Sequence, residues 1–206
     1  MYRFFRWLAK PFLALLHPTK VLNKEKFSEE SAVVCCNHYD SSDVLVVAEK
    51  LIKRDLNVLA KAELFKGKFS SWFLTKMGAI KVNRGTPEVS VHKEILRRLK
   101  SGKQLLIFPE GTRNLAGTHD MADFKSGAGV YAMKAKVPII PLMFHHKSRP
   151  FRRNYLIVGD KIDLSDFYGK NMHEVKDEVA KFLHEKMELL HRELDAKVAE
   201  LTAKKK

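Results

Sequence analysis

Short apolar runs alternate along the chain with longer amphipathic stretches, and this alternation constrains the fold more than any other feature of the sequence. The apolar runs are short and rich in β-branched residues, so they predict buried strands. The stretches between them carry apolar residues at helical spacing; between residues 87 and 100, for example, Val91, Ile95 and Leu99 recur every four residues. This order predicts an α/β domain with a central, mostly parallel sheet flanked by helices on both faces.

The limits of the predicted elements follow from the same pattern. Strands are predicted at 32–36, 56–60, 79–82, 104–108, 137–144 and 154–162, the last as a candidate edge strand. Helices are predicted to begin near Asp43 and to cover 69–77, 87–100, 124–136 and, as a long amphipathic helix, 171–203. With 206 residues, we expect an N-terminal segment, 1–27, and a single α/β domain, 28–206.

The loop after the first of these strands combines His38 with Asp43, where the next helix begins. A carboxylate that binds Nδ1 of a histidine fixes its tautomer and leaves Nε2 free to take a proton from a hydroxyl group. The spacing predicts a general-base dyad, although a helix start capped by Ser41 or Ser42 explains the same residues. Asp40 is a second carboxylate that could hold the ring.

Polar loops also follow the strands at 79–82 and 104–108. Ligands of open α/β sheets bind beyond the carboxyl ends of the strands, so these loops and the His38 loop are expected to share one cleft. Arg84 and Arg113 supply cations, and Arg113 can hold two phosphate oxygens with its planar guanidinium.

Two further residues of the second loop, Glu110 and Gly111, are also candidates for the cleft. Gly111 permits a positive φ, so that backbone amides could face an anion. A salt bridge from Glu110 to Arg84 or Arg113 fits the sequence as well as a direct contact between Glu110 and the substrate.

The formal net charge of +14 indicates an anionic partner: nucleic acid, an acidic membrane surface or a phosphorylated substrate. The two cysteines, Cys35 and Cys36, are adjacent in a predicted strand whose side chains alternate between faces. A mutual disulfide is therefore not expected, and a reducing compartment fits best. The pattern also predicts no metal site.

Residues 1–16 are apolar and aromatic but are interrupted by Arg3, Arg6 and Lys10. The segment is shorter than the roughly 20 apolar residues of a membrane span, and no cleavage site of a signal peptide follows it. On a helical wheel the three basic residues form a narrow arc and the aromatic residues cover the rest, which is typical of a helix at a membrane surface. Pro11 is expected to kink or split it. The simpler alternative is a helix packed on the domain.

Five blocks of the chain form an ordered set: Asn37-His38-x-x-x-x-Asp43, Lys61-x-Glu63-Leu64, Gly78-x-Ile80-x-Val82-x-Arg84, Phe108-Pro109-Glu110-Gly111-Thr112-Arg113 and Val137-Pro138-Ile139-Ile140-Pro141. This set resembles the glycerolipid acyltransferase family, and most closely its 1-acyl-sn-glycerol-3-phosphate (lysophosphatidic acid) acyltransferases. The blocks occur in the family's order, and an ordered set is far more specific than any single block. Tyr39 and Asp40 stand where the family often has Gln and Ser.

The resemblance implies a role for each block. His38 would be the general base and Asp43 its partner. Arg84, Lys61 and the four residues Glu110, Gly111, Thr112 and Arg113 would bind the phosphorylated acceptor. Val137, Pro138, Ile139 and Pro141 would help to form the acyl-donor site.

The implied reaction moves a fatty acyl group from acyl-CoA or acyl carrier protein to lysophosphatidic acid and gives phosphatidic acid. No cofactor is expected apart from the donor thioester, and no nucleic acid. The enzyme would be a peripheral protein on the cytoplasmic face of the cell membrane.

Three alternatives stay open on the sequence. Another glycerol phosphate, lysophospholipid or amino-lipid acceptor would need much the same site. A serine hydrolase would use Ser41 or Ser42 with His38, but no Gly-x-Ser-x-Gly motif occurs. A non-enzymatic basic module for membrane or nucleic acid would suit the charge, although the chain shows no recognised nucleic-acid motif.

Overall fold

The computed structural model describes residues 2–52, 56–83, 89–116 and 120–204. Its helices within those residues are α1 Tyr2–Leu16, α2 Ser42–Lys50, α3 Lys68–Lys76, α4 Val89–Lys100, α5 Gly127–Ala135 and α6 Met172–Ala203. The strands are β1 Thr19–Leu22, β2 Val33–Cys36, β3 Leu56–Lys61, β4 Ala79–Val82, β5 Gln104–Ile107, β6 Ile139–Phe144 and β7 Asn154–Val158. Short 3-10 helices cover Lys24–Lys26, Ala62–Phe65 and Ser165–Phe167.

All seven strands form one sheet in the order β1-β7-β6-β2-β5-β3-β4. The five strands from β6 to β4 are parallel to one another, β7 is antiparallel to β6, and β1 is parallel to β7. The predicted α/β class with a mostly parallel sheet is therefore confirmed. Because β2 lies between β6 and β5, the loop that follows it is at the middle of the sheet's carboxyl edge.

Alternation along the strands divides the interior into two cores. In β2, Val33 and Cys35 pack with α4, α5 and α6 on one face of the sheet. Val34 and Cys36 pack with α1 and α2 on the other face. The predicted placement of the cysteines on opposite faces is confirmed, and both thiols are free and buried.

One sequence prediction about the edge of the sheet is wrong. The strand β7 is internal, because β1 pairs with it along Thr19–Leu22 and takes the edge position. The segment 1–27 therefore contributes β1 to the sheet, and the domain boundary after residue 27 stays a prediction. Of the four residues of β1 only Val21 and Leu22 are apolar, so no apolar run marks this strand in the sequence.

The N-terminal helix is continuous from Tyr2 to Leu16 and includes Pro11, so the predicted split does not occur. Its contacts also differ from the prediction, because Arg6 faces the protein. The guanidinium of Arg6 donates to the carbonyl oxygens of Ala48 (2.8 Å) and Glu49 (2.6 Å) at the end of α2, where helix carbonyls lack partners. Arg6 thus attaches α1 to the domain instead of facing lipid headgroups.

The side of α1 that faces away from the domain is strongly apolar. Its exposed large side chains are Phe4, Trp7, Leu8, Phe12, Leu15 and Leu16. Among the described residues, no helix is both long enough and apolar enough to cross a bilayer.

Arg98 connects α4 to the two strands at the far end of the sheet. Its Nη1 donates to Asn57 Oδ1 on β3 (2.6 Å) and to the carbonyl of Gly78 before β4 (2.7 Å), while its Nε donates to Glu94 (2.7 Å). Arg97 binds the same carboxylate, but its side chain is 67% exposed against 16% for Arg98. The strands that lead to Lys61 and to the 83–88 segment are thus fixed by one charged group.

We expect Arg98→Lys to lower the free energy of unfolding by about 2 kcal/mol, because an ammonium group cannot reproduce three bonds in these directions. The matched variant Arg97→Lys should change it by no more than about 0.5 kcal/mol. Urea denaturation of both proteins measures the difference. Equal values for the two variants would contradict the role assigned to Arg98.

Candidate functional site

His38 and Asp43 meet at the carboxyl end of β2. The Nδ1 atom of His38 lies 3.0 Å from Asp43 Oδ2, and the same oxygen accepts the backbone amides of Tyr39 and Asp40, both at 2.7 Å. Asp43 is fully buried in the first turn of α2, so its carboxylate ties the loop, the ring and the helix together. The bond assigns the ring proton to Nδ1 and leaves Nε2 as the nitrogen that can accept another. The histidine side chain stays 17% exposed, so a solute can reach it.

Asp40 does not compete for the ring. Its Oδ1 accepts the amide of Ser42 at 3.1 Å, and this bond holds the pKa of Asp40 below its usual value, with help from the positive charges of Lys147 and Arg113. Asp40 therefore provides the side-chain bond at the start of α2 that was predicted for a serine; Ser41 makes no capping bond. The Ser42 hydroxyl also interacts with Asp40 and helps to lower the pKa of that carboxyl group.

Neighbouring strands fix the position of the His38 ring. The ring stacks on Phe108, just after β5, with 3.8 Å between ring centroids and 19° between planes. On the other side, Asn37 exchanges two hydrogen bonds with the backbone of Phe144 at the end of β6. Tyr39, one of the departures from the family pattern, is 2% exposed and belongs to the core.

Glu110 accepts hydrogen bonds from two backbone amides near the cleft, a role that the sequence did not predict. Its Oε1 accepts the amide of His38 at 3.0 Å and its Oε2 accepts the amide of Ala122 at 3.3 Å, with the side chain only 3% exposed. Burial raises the pKa of Glu110, although the two amides act in the opposite direction. In addition, the amide of Asn114 donates to the carbonyl of His38 at 2.7 Å. The 110–114 loop is thus bonded to the loop that carries the dyad.

Gly111 has the predicted positive φ, +69°, but its amide does not face an open anion site. It donates to the carbonyl of Phe108 at 3.0 Å and closes the turn. A Cβ on Gly111 would lie 2.8 Å from the side chain of Lys125, so the missing side chain leaves room for a lysine. Thr112 and Arg113 are exposed beside it.

Two basic residues that the sequence analysis did not single out lie at this edge. The side chain of Lys125 packs over Gly111. The positive charge of Lys147 is close enough to Asp40 to lower the pKa of its carboxyl group. Lys147 follows β6, whose carboxyl end lies beside that of β2, and this position after a strand is the signal that could have found it.

Of the other predicted acceptor residues, Lys61 is exposed at the end of β3, on the same edge of the sheet as His38. Arg84 lies outside the described residues, and its role stays a prediction.

The predicted acyl-donor residues lie away from the dyad. Ile139 pairs with Val33 at the start of β2, Val137 and Ile139 are part of the core, and Pro138 accepts the amide of Val33 through its carbonyl. Pro141 lines a cavity of about 400 Å³ between α6 and residues 159–163, away from the His38 edge. The structure therefore does not bring Val137, Pro138, Ile139 and Pro141 to His38, and their link to the donor stays a prediction.

Comparison with known proteins bears on this arrangement. The chain is 30% identical over 201 residues to the 1-acyl-sn-glycerol-3-phosphate acyltransferase of Bacillus subtilis, which covers 95% of this chain and 99% of that protein. It is 26% identical over 182 residues to the enzyme of that name from Saccharomyces cerevisiae, with 81% of this chain and 60% of the yeast protein covered.

Two further matches concern the fold and the family. The crystal structure of the 1-acyl-sn-glycerophosphate acyltransferase PlsC from Thermotoga maritima aligns with a TM-score of 0.71 at 22% identity, over 95% of this chain and 78% of that one, and confirms the α/β fold. The family model for acyltransferases matches residues 18–145, which include the dyad and all the cleft loops. On this match and on the identity to the Bacillus protein, the chain belongs to the acyltransferase family and is an acyltransferase.

Proposed function

We propose that this enzyme transfers a fatty acyl group from a thioester donor to the free hydroxyl of 1-acyl-sn-glycerol-3-phosphate and forms phosphatidic acid. The observation that carries the proposal is the His38–Asp43 pair, 3.0 Å apart and hydrogen-bonded through the His38 backbone to the loop that bears Arg113. The names of the relatives support the acceptor. Another lysophospholipid, a glycerol phosphate or an amino lipid is the alternative.

The proposed mechanism needs no enzyme nucleophile, because a thioester is already activated. Nε2 of His38 takes the proton from the acceptor hydroxyl, and the oxygen of that hydroxyl attacks the carbonyl carbon of the thioester. The carbon–sulfur bond then breaks, and the departing thiolate receives the proton from His38. Asp43 stabilises the imidazolium that exists between these steps. Because the thioester is already activated, the proposal includes no cofactor and no metal.

The phosphate of the acceptor would be held by the basic side chains around the cleft. Arg113 stands on the 110–114 loop that is bonded to His38, the Lys125 side chain lies next to Gly111 of that loop, and Lys147 is close to Asp40. A phosphate held by these side chains would orient the glycerol hydroxyl toward Nε2 of His38. Such orientation lowers the entropic part of the activation barrier. Lys61 would extend the same basic edge, and Arg84 stays a predicted phosphate ligand that lies outside the described residues.

Because the proposed substrates are lipids, we propose that α1 binds the enzyme to a membrane. Its outward face is apolar and aromatic, so it would enter the interface of the bilayer and hold the enzyme there as a peripheral protein. Two free, buried cysteines suit the reducing cytoplasm, and we propose the cytoplasmic face of the membrane. Either acyl-CoA or acyl carrier protein could be the donor, since both are anionic and the enzyme is basic.

His38→Ala should lower kcat by roughly 10²- to 10⁴-fold, the range typical for loss of a general base. The assay uses purified enzyme, lysophosphatidic acid and each donor type in turn. His173→Ala is the matched control, because His173 also has an acidic residue five positions on but is exposed at the start of α6. Turnover that survives in His38→Ala, with an unchanged unfolding midpoint, would rule out the mechanism.

Glu110→Ala should lower the free energy of unfolding by about 2–4 kcal/mol, because two backbone amides lose their acceptor in a buried site. The control Glu200→Ala removes an exposed carboxylate from α6 and should have little effect. Urea denaturation monitors both. If Glu110 serves only to bind substrate, its variant will instead be as stable as the parent enzyme.

Arg113→Lys should raise KM for lysophosphatidic acid by about 10-fold or more with a smaller change in kcat, because a lysine cannot bind two phosphate oxygens side by side. Arg192→Lys, an exposed change on α6, is the control. The measurement is repeated with lysophosphatidylcholine, whose phosphate carries a choline. A KM that does not change for lysophosphatidic acid would exclude Arg113 from the phosphate site.

A further inference from the structure

The helix α3 presents a second exposed aromatic surface, which the proposed function does not use. Phe69 is 75% exposed and Trp72 is 45% exposed, and their rings lie 5.9 Å apart. Single exposed apolar side chains are common, but exposed apolar groups that lie together in one patch often mark a contact with a partner or a membrane. The surface therefore needs an explanation.

This surface is connected to the apolar face of α1 through aromatic contacts. The ring of Phe73 lies 5.2 Å from that of Phe5 on α1 and 6.2 Å from that of Phe69. Phe5 in turn contacts the exposed Phe4 at 5.6 Å. Exposed aromatic groups of two helices that are distant in sequence thus share one packed unit, although α1 alone was expected to reach the membrane.

A basic cleft adjoins the aromatic surface. It has a volume of about 520 Å³, lies between α3 and the preceding 3-10 helix Ala62–Phe65, and is lined by Lys66, Lys68, Lys76, Phe65 and Trp72. All three lysines are exposed, and none of the described lining residues is acidic. Trp72 belongs both to the cleft and to the aromatic surface.

From these observations we infer that the cleft binds the phosphate of an anionic lipid headgroup while Phe69 and Trp72 enter the bilayer beside it. Amphipathic aromatic rings prefer the depth of the headgroups, and lysines around them bind anionic phosphate. The inference rests on the proposed function in one respect: a lipid substrate requires the enzyme to work at a bilayer.

The position of the cleft suits catalysis at the membrane. The 3-10 helix Ala62–Phe65 follows directly from Lys61, the last residue of β3, and β3 is parallel to β5 and β2. The cleft therefore extends from the same edge of the sheet as His38. Binding of α1 and α3 to one bilayer would orient that edge, whereas α1 alone would leave the domain free to rotate about the helix.

The test compares two triple variants of the full-length enzyme that have the same net charge. One is Lys66→Gln, Lys68→Gln and Lys76→Gln in the cleft; the other is Lys134→Gln, Lys181→Gln and Lys204→Gln, exposed lysines on or next to α5 and α6. Binding is measured by co-sedimentation with vesicles of phosphatidylcholine alone or mixed equally with phosphatidylglycerol. Each lysine close to an anionic surface contributes about fivefold, so the cleft variant should bind the mixed vesicles about 100-fold more weakly and the control nearly as well as the parent.

Equal losses in the two triple variants would overturn the inference, because they would show only the effect of total charge. The inference would also be overturned if the cleft variant bound mixed vesicles as well as the control did but had a higher KM for acyl carrier protein or acyl-CoA in the transfer assay. That result would assign the lysines to the donor.

The aromatic part is tested separately with Phe69→Ser and Trp72→Ser, which should weaken binding to both kinds of vesicle. Leu189→Ser removes a side chain of comparable exposure, 56%, from α6 and should leave binding unchanged. If neither aromatic variant binds less, α3 does not enter the bilayer. A parent enzyme that binds vesicles in this pattern but does not acylate lysophosphatidic acid would overturn the proposed acceptor and leave the membrane site supported.

Discussion

The carboxylate of Asp43 is the group on which the site depends. One buried oxygen accepts Nδ1 of His38 and the amides of Tyr39 and Asp40, so a single charge sets the ring, the loop and the start of α2. A buried charge is tolerated only when it is hydrogen-bonded, and all three donors bind Oδ2, whereas Oδ1 is buried without a partner among the described residues. The histidine therefore occupies a fixed place before any substrate arrives.

Most of the fold could be predicted because local pattern and tertiary structure agree. Each strand from β2 to β6 is a short, mostly apolar run at the predicted place, and amphipathic stretches separate these runs. The pattern failed for β1, a four-residue strand that forms because β7 offers it a free edge. Thr19 and Val21 are β-branched and suit a strand, but the pairing with β7 and not a clear sequence pattern identifies that segment as one.

One contact of the candidate site could be predicted from the sequence, and the other contacts could not. The pairing of His38 with Asp43 follows from a spacing, whereas the roles of Glu110 and Gly111 depend on which backbone amides lie nearby, and a sequence does not contain that information. A glutamate beside an arginine in sequence suggests an ion pair. In the fold its carboxyl group points inward to two amides, where a buried acceptor is worth more than an exposed pair.

Arg6 shows how one side chain can set the orientation of a whole helix. A helical wheel groups Arg6 with Arg3 and Lys10, yet the free carbonyls at the end of α2 attract its guanidinium and turn that side of α1 toward the protein. The apolar residues must then face outward, and Phe5 is brought against Phe73. The same bond that attaches α1 to the domain therefore also aligns it with α3, so the direction of the aromatic surface is a consequence of how a helix end is capped.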